Sequence, residues 1–404
     1  MISVGIDIAK RKSTVCALKD GKKILWKPFN IYHQRSDVES LIAKIKALDE
    51  EVKIIMEATG IYHKPLLISL KDAGLFVSVI NPLRMKRFCQ ALSFRNVKTD
   101  NSDSLSIAEY GLINWFELKE AFEDNDKFKE LKELNRAYQH YQEIRIKEIN
   151  YLGKEIEKRH PGLKKLIAHS NNDYKKDKLL DFVERWPNSQ KIRKRSEIQF
   201  IKEYENWARK KGYHPDSSKA RLIYENTQKS IPTISSSNSI LDANVLESIK
   251  IMRTINKALN NILSQMQKIA TGLEEYEVLK DFTGIGDKLA LQIASEFGDL
   301  SKFKNKKSLI SYVGIDSPAY QSGEFKGTRR KISKRGNAIL RKVLFLAMMC
   351  MKRSKKINDP IYVYVLKKES EGKAKKVANI AGINKLLRIY YARVMEVKEY
   401  KKIS

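Results

Sequence analysis

The chain has 404 residues, 42% of them hydrophobic and 31% charged, and its 78 lysines and arginines against 48 acids leave a formal net charge of +30. That length predicts two or three domains, and so large a positive surplus draws polyanions, nucleic acid before any other partner. An anionic membrane surface is the alternative, but the longest apolar run, VLFLAMMCM (343–351), is too short to cross a bilayer and no secretory leader pattern opens the sequence.

The three cysteines, Cys16, Cys89 and Cys350, are odd in number and scattered, which fits reduced thiols. The expectation is a cytoplasmic, polyanion-binding protein with no membrane partner.

The first region, residues 1–120, reads as α/β. ISVGIDIA (2–9), STVCALK (13–19) and KILWKPFNI (23–31) predict three successive strands, with a tight hairpin at Asp20-Gly21. SDVESLIAKIKALD (36–49) follows with a Ser or Asp cap and apolar residues at helical spacing. VKIIMEATG (52–60) is a short apolar run that suits a buried parallel strand. A helix over 62–73, a strand over 76–82 and a helix near 83–92 complete an order shared with ribonuclease H-like domains and Holliday-junction resolvases.

The second region, 121–278, is long, charged and helical. Leu131, Leu134, Tyr138 and Tyr141, and then Met252, Ile255, Leu259, Ile262, Met266, Ile269 and Leu273, keep 3-4 spacing. That predicts a coiled-coil seam, either two arms of one hairpin or an oligomer contact. Between the arms a helical insert, about 165–235, is rich in Trp, Tyr, Lys and Arg, which suits a solvated elaboration or a nucleic-acid surface equally.

The third region, 279–404, is predicted mostly helical. Gly284-Ile285-Gly286 between two helical patterns suits either a helix-hairpin-helix, whose backbone N–H groups approach a phosphate, or a plain turn. YQSGEFKGTRRKISKRGN (320–337) then sets Ser322 ahead of Lys326, Arg329, Arg330, Lys331, Lys334 and Arg335. A serine in a polar glycine loop is ordinarily a turn residue, and it can also hydrogen-bond a phosphate without reacting. The cations would neutralise phosphates, or form a solvated basic loop.

Four carboxylates stand out. Asp7 lies on the first strand, Glu57 ends the fourth, and Asp100 and Asp103 open a helix in KTDNSDSLSIAEYG (98–111), where i, i+3 spacing puts them on one face. Phosphodiester chemistry uses such a set, because oxygen ligands hold Mg²⁺ with positions left open for phosphate oxygens. Plainer roles exist for each: Thr99 or Asp100 as a helix cap with Asp103 completing a capping box, and Glu57 as a strand-end surface residue. Asp7, in an apolar strand, is the hardest to explain that way, since a buried unpaired carboxylate is costly.

GIDIAK, MEATGIYHKPL, INPLRMKRF and KTDNSDSLSIAEYG, followed by GIGDKLALQIASEFGD, YVGIDSPAYQSG and KISKRGNAILRKVL, resemble the DEDD transposases of bacterial insertion sequences, relatives of the Piv DNA invertase. The resemblance covers both ends of the chain, about three fifths of it. It implies a ribonuclease H-like (RuvC-like) domain, a coiled coil and a C-terminal transposase domain, with Asp7, Glu57, Asp100 and Asp103 as the metal-holding acids and Ser322 as the nucleophile. It further implies an RNA-guided recombinase, in which a non-coding guide RNA pairs with target and donor DNA. The protein would act as a homo-oligomer, dimer or tetramer, with the acidic domain of one subunit facing the serine domain of another. The insert departs from the family pattern. A structure-specific nuclease, which would not need Ser322, and a non-catalytic nucleic-acid-binding protein are the competing readings.

Overall fold

A computed structural model describes residues 1–92, 99–122, 125–167, 177–234, 239–317, 321–322, 325–326 and 331–403. The chain forms two compact units, Met1–Glu123 and Asp124–Ser404.

The first unit contains β1 (Ile2–Ala9), β2 (Lys12–Lys19), β3 (Lys23–Tyr32), α1 (Arg35–Lys46), β4 (Val52–Glu57), α2 (Lys64–Asp72), β5 (Val77–Ile80), α3 (Pro82–Leu92) and α4 (Asp100–Ile113). The strands form one sheet in the order β3-β2-β1-β4-β5, with β1 antiparallel to β2 and parallel to β4. Three strands and then alternating helices and strands follow along the chain as expected from the sequence. The β2–β3 turn is tight, as Asp20-Gly21 predicts, and Gly21 takes a φ of 72° that suits glycine. Helix α1 begins one residue before the predicted cap: Gln34 is its N-cap with no side-chain bond, and Asp37 accepts instead from the Tyr32 amide at 2.9 Å.

Alternation along β1 builds the layers. Ile2, Val4, Ile6 and Ile8 share a core with Leu41 and Ile45 of α1 and Leu66, Leu67 and Leu70 of α2. The opposite face carries Ser3, Gly5 and Asp7, and α4 lies against it. A methyl group on Gly5 would overlap the Ser104 carbonyl and stand 2.5 Å from the Ala108 nitrogen, and one on Gly111 would overlap Ser3 and Ile55. Gly5→Ala is therefore expected to push α4 off the sheet and cost about 1–3 kcal/mol in chemical unfolding; an unchanged midpoint would contradict this packing.

The second unit begins with α5 (Asp126–Arg159), then α6 (Leu163–Leu166), α7 (Lys178–Arg185), α8 (Gln190–Arg193), α9 (Glu197–Lys210) and α10 (Ser217–Lys229). It continues with α11 (Ser239–Ala270), α12 (Glu274–Lys280), α13 (Asp287–Phe297), α14 (Lys306–Val313), the short strands β6 (Gln321–Ser322) and β7 (Phe325–Lys326), α15 (Ala338–Ser354), α16 (Pro360–Ser370) and α17 (Lys375–Ile403). Helices α5 and α11 run antiparallel: Arg145 donates to Asn256 at 2.8 Å near the middle, and Arg159 donates to the Leu241 carbonyl at 3.0 Å near one end. Of the predicted seam, Leu131, Tyr138, Ile255, Leu259, Ile262 and Met266 are buried in one core. Tyr141, assigned to the seam from spacing, is 36% exposed, whereas the polar Asn135, Gln139 and Arg145 are buried.

One end of this helix pair shares a core with α12 to α17, and the other with the insert. The insert's aromatic residues form that second core: Trp186 is 1% exposed and Tyr204 0%, and Trp186 lies 5.5 Å from Trp207, centroid to centroid. Its richest aromatics are interior, so they offer no stacking surface to a base. Burial also pushes His160 down to about 4, with its Nε2 2.8 Å from the Trp186 carbonyl. A base whose folded pKa lies below its unfolded value of 6.5 favours the fold above 6.5, and that stability drains away as the pH falls towards 4. Unfolding free energies between pH 7 and 4.5 should show a loss of about 2 kcal/mol that His160→Asn flattens; an equal slope in both proteins would contradict this.

Of the predicted phosphate-binding glycines, Gly284 has a φ of 85°, and a methyl group there would lie 2.7 Å from the Met351 nitrogen of α15. Its tolerance is used for close helix packing. Gly286 caps α13 and faces open space. Among the described residues no helix is long and apolar enough to cross a membrane.

Candidate active site

Strand β1 pairs with β4 so that Ile6 faces Met56, and the next position on each strand is Asp7 and Glu57. Neighbouring strands lie about 4.8 Å apart, so the two half-buried carboxylates stand side by side at the ends of the central strands. Helix α4 supplies the other pair through the glycine packing. It passes Ser3 at Gly111 and Gly5 at Ser104 and Ala108. Two further residues of strand span about 6.6 Å, or roughly 4.4 residues of helix, which brings the first turn of α4, with Asp100 and Asp103, to the level of Asp7.

The capping role is taken by other residues. Thr99 is the N-cap, and Ser102, not Asp103, completes the capping box: the Ser102 amide donates to Thr99 Oγ1 at 3.1 Å and the Thr99 amide to Ser102 Oγ at 3.0 Å. Asp100 is exposed and stands 3.4 Å from Lys12 Nζ, a residue that no motif singles out. Cys89 of α3 feels the charge of both Glu57 and Asp103. Burial pushes its thiol up, and the charges of Asp103 and Glu57 both push the same way.

The backbone therefore sets all four positions at one end of the sheet. Their side chains are not closed into a site, and among the described residues no three His, Cys, Asp or Glu side chains gather as metal ligands. The donor set still suits a hard divalent cation, since carboxylate oxygens are its preferred ligands. For Asp100 to join, it would have to leave Lys12.

In the second unit, β6 and β7 pair antiparallel with Ser322 opposite Phe325, and Ser322 is the last residue of β6. The side chains of Ser322 and Lys326, and all of Arg329 and Arg330, lie outside the described residues. The base of this loop is pinned. Lys334 N donates to the Gly314 carbonyl at 3.0 Å, Ser333 N to the Asp316 carbonyl at 2.8 Å, and Ser333 Oγ to Asp316 Oδ1 at 2.6 Å. Gly314 and Gly336 approach so closely that a methyl group on either would lie 2.5 Å from the other's nitrogen. Arg341 closes the clamp on the carbonyls of Val313 (2.9 Å) and Gly336 (2.8 Å). Lys331, Lys334 and Arg335 are exposed beside it.

Two family models match the chain, one of DEDD type described as "Transposase" over residues 4–161, the other as "Transposase IS116/IS110/IS902 family" over residues 276–362. The first spans the four acids and the second the pinned loop, and together they define an enzyme that recombines DNA. The chain belongs to the DEDD transposases of insertion sequences. Residues 162–275, with the insert, lie outside both matches.

The pilin gene-inverting protein of Moraxella bovis is 22% identical over 402 residues, 99% of this chain and 97% of that protein. The transposase for insertion sequence element IS1111A of Coxiella burnetii is 25% identical over 146 residues, 36% of this chain and 40% of that protein. Among solved structures, Thermus thermophilus RuvC matches with 14% identity, 30% of this chain, 100% of its own and a TM-score of 0.24, too low to carry an argument.

Proposed function

We propose that the chain is an RNA-guided recombinase that cuts and rejoins DNA with Ser322 as nucleophile and Asp7, Glu57, Asp100 and Asp103 as a metal-holding set. The observation that supports this most is the placement of the four acids at one end of the sheet by the β1–β4 register and the glycine-permitted approach of α4. Bound there, Mg²⁺ would neutralise charge on the scissile phosphate and favour loss of the serine proton.

The Ser322 oxygen attacks phosphorus, a phosphoserine bond replaces the broken P–O bond, and the departing strand oxygen takes a proton. A hydroxyl from the partner strand then reverses the step and frees the serine, so no ATP is consumed. Lys326, Arg329, Arg330, Lys331, Lys334 and Arg335 hold flanking phosphates, arginine with a bidentate fork. The net charge of +30 suits a protein that carries a guide RNA and both target and donor DNA at once. The acting form is a homo-oligomer in which the acids of one subunit serve the serine of another. The rearrangement is of the class performed by the pilin gene-inverting relative or by insertion-sequence transposases.

In a purified reaction with element-derived RNA, donor and target DNA, junctions should form with Mg²⁺ and vanish with EDTA or with RNase added before mixing. Junctions that survive RNase would remove the guide, and junctions that survive EDTA would remove the metal.

A further inference from the structure

We propose that Glu296 is a positioning residue that holds both ends of the serine loop against α5. This rests on the reading that Ser322 must be held in place to react. A fully buried carboxylate is costly unless its oxygens are hydrogen-bonded, and Glu296 is 0% exposed. Its Oε1 accepts from Asn135 Nδ2 at 2.9 Å, and its Oε2 from Arg136 Nη2 at 2.9 Å and Asn337 Nδ2 at 2.6 Å. Asn337 is the exit of the loop. Its Oδ1 caps α15 by accepting from Ile339 N at 3.0 Å and Leu340 N at 3.1 Å, and its own amide donates to the Tyr312 carbonyl at 2.8 Å. Tyr312, at the entry, donates its hydroxyl to the Glu296 carbonyl at 3.3 Å. Entry and exit therefore converge on one residue of α13, which α5 grips through Asn135 and Arg136. A buried carboxylate serving only to join α5 to α13 would not need Asn337, which already has a complete role as a helix cap.

The test is a donor–acceptor exchange. Glu296→Gln leaves one acceptor oxygen for the three donors Asn135, Arg136 and Asn337, and Asn337→Asp keeps the cap but sets carboxylate against carboxylate. In the double variant the Gln amide donates to the Asp, and the bond returns with its polarity reversed. Hydrogen exchange across 333–337 reports the loop base directly, because those amides hold the base bonds. Each single variant should speed that exchange, and slow junction formation, by about tenfold, and the double should recover most of both. A double variant as impaired as the two singles combined would overturn the proposal, as would singles that loosen the whole unit evenly. If Glu296→Gln does not fold, Asn337→Ser, whose hydroxyl keeps a cap but which lacks the amide that reaches Glu296, takes its place, and unchanged exchange there would also overturn it. The exchange readout does not depend on serine chemistry. Failure of the nucleophile reading would show separately, as undiminished junctions in Ser322→Ala.

Discussion

Asp7→Ala is expected to reduce recombinant junctions to background, at least about a thousandfold, or roughly 4 kcal/mol of transition-state stabilisation. The expectation follows from position. Asp7 sits on the central strand at the point where β4 delivers Glu57 and the first turn of α4 delivers Asp103. On the proposed function, a carboxylate at that point would hold the divalent cation that compensates charge on the scissile phosphate. Loss of one carboxylate should leave polyanion binding almost intact, because affinity comes from a surplus of 30 positive charges spread along the chain. Junctions are to be counted beside a nucleic-acid binding curve and a melting scan of the same protein. Near-normal junctions would remove Asp7 from the chemistry.

Ser322→Ala should be equally severe and for a different reason. Without the hydroxyl no phosphoserine bond can store the energy of the broken phosphodiester, so strand transfer fails even where the DNA is bound and the acids are intact. The substitution removes one oxygen from the last residue of β6, in a loop whose base is held elsewhere, by Asp316, Ser333, Gly314 and Arg341. Folding should be unaffected. Cleavage that persists in Ser322→Ala would turn the reading towards a hydrolytic nuclease.

Much of this architecture is legible in the residues because it depends on local pattern. Two-residue alternation in ISVGIDIA separates a core face from an acid-bearing face, and Asp20-Gly21 can only turn. Features set by distant partners are not legible. Glu296 reads as one polar position on an amphipathic helix, yet its partner Asn135 lies 161 residues away. Tyr141 fits the seam by spacing, but a straight helix of 34 residues drifts from a strict heptad, and polar residues take part of the interface. Composition also cannot separate a buried aromatic cluster from a stacking platform, and Trp186, Tyr204 and Trp207 are the former. Residue type suggests Thr99 or Asp100 as the cap of α4 with Asp103 completing the box; Thr99 is the cap, and Ser102 takes the place of Asp103. Asn337 carried a usable signal, an N-cap residue directly before the apolar run AILRKVL.

The most direct test of the joint role of the acids and the serine is to trap the cleaved intermediate. Purified protein would be given end-labelled donor DNA with Mg²⁺ and RNA, quenched in detergent and resolved on a denaturing gel. A labelled protein–DNA adduct is predicted in the wild type, mapping to Ser322, and absent from both Ser322→Ala and Asp7→Ala. Cut DNA with no adduct in the wild type, or an adduct that persists in Ser322→Ala, would contradict the account.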